Sequence, residues 1–296
     1  MKKIVFPTDF SDEAAQVLPI AAQLTRQLKA TLHLVHVVPP ALIEYSSLLR
    51  DAGGRYLQLL GEIEQQFDAV LMLPCLQNLK VHTHVVFGHA PTDLLKDPRF
   101  CDADLLVVAS TSANGWKELL TGSNAEHLIR QAKMPILVLK NPPDYLSVKT
   151  IVFASDFEDH YESSLDLLQT LLDRFDYPTV HLVFVNTLSH FVPTSTIKPR
   201  LEAFAAKYCL GDCLLDQLDE FDVEKALLTF VRKKKADLLV LGTHGWGKLH
   251  HFLEGSLAED VANHAPVPVL TLPLQLEHKP KAMLTEIDIP CIQLES

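Results

Sequence analysis

Short apolar runs alternate with amphipathic stretches along most of the chain. Lys3–Pro7 is the first such run, and it breaks into the polar turn Thr8-Asp9-Phe10-Ser11. Over residues 12–28 the apolar positions Ala14, Val17, Leu18, Ala21, Leu24 and Leu28 recur at three and four, which gathers them on one helix face. Pro19 falls inside that helix, where its missing N–H predicts a kink. Thr31–Val38 predicts a second strand ending at Pro39-Pro40. Residues 41–67 read as mostly helical, with Gly53-Gly54 expected to weaken or break the helix. Residues 80–87 alternate as a third strand, 92–100 predict a short helix, and 104–109 a buried fourth strand. Gly122-Ser123 opens a helix running to Ala132, and residues 135–139 predict a fifth strand. Five strands with helices between them make a doubly wound α/β domain.

After a turn-rich connector at residues 141–148 the pattern starts again. Lys2-Lys3-Ile4-Val5-Phe6 followed by Asp9-Phe10 is matched by Lys149-Thr150-Ile151-Val152-Phe153 followed by Asp156-Phe157. His33-Leu34-Val35 is matched by His181-Leu182-Val183, and Ala103-Asp104-Leu105-Leu106 by Ala236-Asp237-Leu238-Leu239. Later in each half, Ala109, Ser112, Gly122 and Ser123 stand where Gly242, Gly245, Gly255 and Ser256 stand, with 13 residues from first position to third in both. The chain is a tandem duplication. Its expected organisation is a domain at 1–140, the connector, a second domain at 149–274 and a tail at 275–296.

Composition narrows the function. Hydrophobic residues at 48% and charged residues at 21% fit a soluble globular protein. A formal net charge of -11 argues against nucleic acid as a partner, since that binding relies on clustered Lys and Arg. No apolar run reaches membrane-spanning length, and Asp9, Asp12 and Glu13 interrupt any leader-like core, so a membrane is not expected as a partner. Five scattered cysteines fit free thiols in a reducing cytoplasm. Cys209 and Cys213 are spaced to share a helix face, which reads as a buried thiol pair more readily than as a metal site. His82 and His84 share a strand face but lack a third ligand for zinc.

The candidate chemistry lies at residues 238–261. An apolar strand stops at Gly242, a polar loop carries Gly245 and Gly247, and Gly255-Ser256 precede an amphipathic helix at 257–263. Free N–H groups at that helix start would receive an anion such as phosphate. In an open parallel sheet, ligands bind where strand order reverses, so the turn at Asp156 and the loop from Gly242 should face one another across a crevice. Two negative groups repel, so Asp156 suits a hydrogen bond to a base amine or sugar hydroxyl better than a phosphate. A second reading makes it a local turn or helix cap.

With those residues in view, each half resembles the universal stress protein family, and the chain looks like a tandem member of it. The resemblance rests on Asp9 or Asp156 after the opening strand, on the strands ending in Val37 or Val185, and on the spacing Gly-x2-Gly-x9-Gly-Ser from Gly242 to Ser256. It implies two five-stranded parallel-sheet domains of the adenine nucleotide alpha hydrolase-like kind, related by a pseudo-twofold axis. In the second half it implies a nucleotide site at Ala154, Ser155, Asp156, Val185, Gly242, His244, Gly245, Gly255, Ser256 and Leu257. Val185 would border adenine and the glycine loop would wrap the phosphates. The cofactor implied is ATP or AMP, with Mg2+ as an accompanying cation. The first half keeps Thr8, Asp9, Val37, Gly122 and Ser123, but Ala109 and Ser112 put Cβ atoms where the loop glycines belong, so its site reads as degraded.

No catalytic constellation is legible, and the expected activity is at most slow ATP hydrolysis. The leading reading is a cytoplasmic adenine-nucleotide binder acting in stress response. The alternative is a regulatory scaffold, or a stress protein that binds a metabolite or lipid instead. Residues 135–139 and 266–272 are the last strands of each half and would be exposed edges. The resemblance implies that these edges pair, here within one chain as an intramolecular pseudo-dimer; a homodimer of the whole chain is left open. The tail carries Ile287, Ile289, Ile292 and Leu294 in partial alternation, which suits an added strand or a mobile terminus.

Overall fold

The computed structural model describes residues 2–39, 52–88, 91–109, 128–129, 131–140, 142–157, 162–188, 191–208, 210, 213–243 and 255–273. In the first half β1 (Lys3–Pro7) leads through α1 (Asp12–Gln27) to β2 (Thr31–Val38), and α2 (Ala52–Leu71) leads to β3 (Val81–Phe87). A 3-10 turn at Pro91–Lys96 precedes β4 (Leu105–Ala109), and β5 (Ile136–Leu139) follows. The second half repeats the plan. β6 (Thr150–Ala154), α3 (Glu162–Arg174), β7 (Thr179–Asn186), α4 (Thr194–Lys207) and β8 (Leu214–Asp219) come first. They are followed by α5 (Val223–Lys234), β9 (Leu238–Thr243), α6 (Gly255–His264) and β10 (Val269–Pro273).

All ten strands join one sheet in the order β3, β2, β1, β4, β5, β10, β9, β6, β7, β8. Within each half the neighbours are parallel, while β5 and β10 pair antiparallel through Val138 with Val269, Leu137 with Leu270 and Ile136 with Thr271. The last strands of the two halves therefore cover each other, as the family resemblance implied. Strand residues alternate between two apolar layers. Ile4, Phe6, Ile151 and Phe153 enter one layer with Ile20, Leu24, Phe67, Leu168 and Phe204. Val5 and Val152 enter the other with Phe100, Leu128, Phe230 and Val261. Burial on both faces is what makes the strands read as unbroken apolar runs.

Local signals set the helix ends. Ser11 Oγ accepts the Ala14 N–H at 3.2 Å, and Asp12 and Glu13 sit against the positive end of α1. Asp222 caps α5 through the Lys225 N–H at 2.9 Å, and Lys235 closes it in the left-handed region at φ 50°.

Several expectations need correction. Gly53-Gly54 do not break α2 but fall in its first turn, because the helix buries Ile63 and Phe67 further along. Residues 41–51 lie outside the described residues. The helix expected at 92–100 is a 3-10 turn at Pro91–Lys96 followed by looser turns. β9 does not stop before Gly242, because Gly242 and Thr243 continue the ladder opposite Leu272 and Pro273. Cys213 shares no helix face, since α4 ends at Lys207 and Cys213 stands directly before β8. Cys209 is outside the described residues. The connector is irregular as expected, and within it Leu146 and Val148 are buried in the core. Gln23 of α1 grips it, donating to the Leu146 carbonyl and accepting from the Leu146 N–H, both at 2.8 Å. Lys2 Nζ donates across the halves to Thr170 Oγ1 at 2.8 Å.

Candidate functional site

In each half strand order reverses beside the first strand, between β1 and β4 and between β6 and β9. In the second half Ala154 pairs with Leu241, so Ser155-Asp156 and Gly242-Thr243 are the next residues on adjacent parallel strands. The sequence-predicted turn and the first glycine are thus brought together at one crevice mouth. Ala154, Ser155, Asp156 and Val185 are all buried there, with Asp156 7% exposed. Val185 lies on β7 in register with Leu218 of β8. α6 begins at Gly255 and includes Ser256, so both expected loop-end residues are in a helix start. Leu257 is half-buried against the apolar layer. His244 and Gly245 lie outside the described residues, as do Gly122 and Ser123 of the first half.

The turn after the opening strand is built alike in both halves. Thr8 Oγ1 accepts the Phe10 N–H at 3.0 Å, and Ser155 Oγ accepts the Phe157 N–H at 3.2 Å. Each hydroxyl holds a phenylalanine in the left-handed region, Phe10 at φ 65° and Phe157 at φ 57°. Such backbone is costly for a residue with a Cβ and persists only where packing demands it. Phe10 meets Phe67 edge-on at 4.9 Å between ring centroids, and Phe157 meets Phe204 edge-on at 4.9 Å.

Each aspartate accepts a local hydrogen bond. Asp9 Oδ1 accepts the Ser11 N–H at 2.9 Å, the local turn role. Burial pushes its carboxyl above the ordinary aspartate range, against the lowering effect of the hydrogen bonds from Ser11. Asp156 Oδ1 instead lies 3.3 Å from Ser155 Oγ, which donates to it. Carbonyls of the turns are also held by side chains. His36 Nδ1 lies 2.8 Å from the Thr8 carbonyl, and burial pushes this imidazole below its ordinary range. In the second half Arg200 of α4 donates to the Asp156 carbonyl at 3.2 Å and lies 5.9 Å from the centre of the Phe184 ring. No sequence motif marks His36 or Arg200. The repeat alone could have flagged the pair, because Phe184 stands where His36 stands. Among the described residues no cluster of histidine, cysteine, aspartate or glutamate is placed to hold a metal ion, and no helix is long and apolar enough to cross a membrane.

Comparison with known proteins follows the same lines. Residues 1–140 and 218–273 match the model of the Universal stress protein family. Asp156 and Val185 fall between those segments, so the internal repeat connects them to the pattern. The chain is 25% identical over 291 residues to Universal stress protein Slr1230 of Synechocystis, covering 92% of this chain and 99% of that protein. It is 28% identical over 151 residues to Universal stress protein MJ0531 of Methanocaldococcus jannaschii, covering 48% of this chain and 83% of that protein. A solved universal stress protein from Archaeoglobus fulgidus has the same fold, with a TM-score of 0.62 at 17% identity over 92% of this chain and 98% of that one. Since the family match reaches into both halves and spans more than half of the sequence, the chain belongs to the universal stress protein family.

Proposed function

We propose that this protein binds an adenine nucleotide, ATP or AMP, in its second domain at residues 149–274, and acts through the bound state in a cytoplasmic stress response. The observation that carries the reading is the placement of Ser155-Asp156 beside Gly242-Thr243 where strand order reverses. Asp156 would accept from the base amine or a sugar hydroxyl, and Val185 would offer an apolar wall to the base. The N–H groups of the first turn of α6, at Gly255 and Ser256, suit phosphate. His244 and Gly245 complete the phosphate loop in this reading. Arg200 acts on the ligand only through Asp156, as a positioning residue. No protein ligand is assigned to Mg2+.

The first domain has a weaker claim. Ala109 ends β4 where the second half has Gly242, so a Cβ stands at the first loop position. This asymmetry favours a second role for the first domain, as a regulatory scaffold with a vestigial pocket.

The test is mass spectrometry of small molecules released from freshly purified protein, with Gly245→Asp and Asp156→Ala variants alongside. Adenine nucleotide in the parent and not in the variants supports the reading. If the parent carries none and gains no thermal stability from added ATP, the scaffold reading replaces it.

A further inference from the structure

Three imidazoles crowd one face of the outer strands of the first half. His33 stands on β2, and the register sets His82 of β3 beside it and His84 beside Val35. His33 Nδ1 lies 2.9 Å from His84 Nε2, and the two rings stack at 5.1 Å between centroids. His82 lies 5.4 Å from His33 and 6.4 Å from His84. Phe100 closes the cluster edge-on, 5.1 Å from His84. The His33–His84 bond needs one ring N–H and one bare ring nitrogen, so it cannot survive protonation of both rings. The charged neighbours do not relieve it. Lys3 of β1 is paired with Asp102, and Arg99 with Asp97, so both facing carboxylates are already engaged by cations.

The second half carries the opposite wiring at the same place. His181 of β7 repeats His33, and β8 sets Asp216 beside Val183 as β3 sets His84 beside Val35. There His181 Nδ1 lies 2.7 Å from Asp216 Oδ2, and Lys234 Nζ lies 3.7 Å from the other oxygen. A carboxylate stands where the first half has an imidazole, so the ring N–H at this place meets an acceptor that carries no proton of its own.

We propose that the His33, His82 and His84 cluster is an acid-operated latch: protonation in mildly acidic solution releases β3, the edge strand of the first half, from β2, while β8 stays paired with β7. β3 can leave at a sheet edge because, among the described residues, β2 is its sole strand neighbour. Burial first, then His84, His82 and Lys3, push His33 down to about 4. Burial and then Arg99 push His84 below its ordinary range as well. A released imidazole titrates near 6.5, so between about 6.5 and 4 the released strand takes up protons that the closed one refuses. Closure is therefore fully favoured above that window and weakens as pH falls through it. From about pH 7 to about pH 5, His33 alone raises the opening constant by about 20-fold.

Hydrogen–deuterium exchange of the full chain at those two pH values, corrected for intrinsic exchange, tests this. Peptides over Val81–Phe87 should show the rise, and peptides over Leu214–Asp219 should change by less than about threefold. His84→Asp, which installs the second half's arrangement, should abolish the rise, and His84→Gln, which removes one titrating ring but leaves His33 half-buried, should reduce it. Equal acid responses of the two edges, or an undiminished rise in His84→Gln, would overturn the latch.

Discussion

Gln23 is a sharp test of how the two halves are joined. It is 7% exposed, and its amide satisfies both backbone groups of Leu146, the buried residue of the connector. Replacing it with leucine keeps the volume but strands a buried N–H and a buried C=O. Each such group costs about 1–3 kcal/mol. The added apolar surface returns about 1–2 kcal/mol. The net expectation is a loss of about 2–4 kcal/mol. Urea unfolding followed by far-ultraviolet circular dichroism reads the total, and hydrogen exchange over residues 142–149 reads the site. Gln23→Glu should fare no better, because it keeps an acceptor, loses the donor and buries a charge. A loss below about 0.5 kcal/mol in Gln23→Leu, with unchanged exchange at the connector, would refute the idea that this amide clamps it.

Asp237 Oδ2 accepts from Lys149 N–H at 2.8 Å and Thr150 N–H at 2.9 Å, starting β6, so Asp237→Ala should lower stability by about 1–2 kcal/mol. Asp104, which accepts only the Lys3 N–H at the matching place, should cost less, and paired urea titrations would compare them. Asp9→Asn retains the acceptor for Ser11 and removes a carboxyl whose folded pKa is raised by burial. The unfolded chain releases that proton first, so the parent loses stability relative to the variant as pH rises from about 4 toward 7; urea midpoints across that range check it. Phe157→Ala should cost about 3–5 kcal/mol through the lost ring. Phe157→Gly should be the milder change by about 1 kcal/mol in thermal unfolding, because only glycine is at ease at φ 57°.

Much of this architecture was legible because repetition multiplied weak signals. Either half alone offers short apolar runs that do not distinguish strand from helix, whereas Ile4-Val5-Phe6 against Ile151-Val152-Phe153 fixes the frame. The pairing of β5 with β10 was implied by the family resemblance, while the residues themselves showed only that each last strand would be an edge in need of cover. The extent of β9 was misjudged because Gly242 reads locally as a stop, while the Leu272 ladder overrides that preference. Gly53-Gly54 misled for a similar reason, with packing outweighing propensity. The grip of Arg200 on Asp156 and of Gln23 on Leu146 span long sequence separations between ordinary residue types, and local pattern carries no trace of them. Asp156 and Gly242 were placed together by topology, since adjacency across a strand-order reversal follows from fold class.

The antiparallel seam between β5 and β10 reverses the polarity of the whole sheet at its midpoint. Every strand of the first half runs against every strand of the second, so the two carboxyl-end crevices open on opposite rims of the molecule. The Asp156 turn and the Asp9 turn thereby lie on opposite sides of the sheet's midpoint and share no space. The halves meet through the shared apolar layers, the three residue pairs of the seam and side-chain bonds such as Lys2 to Thr170 and Lys140 to the Asn263 carbonyl.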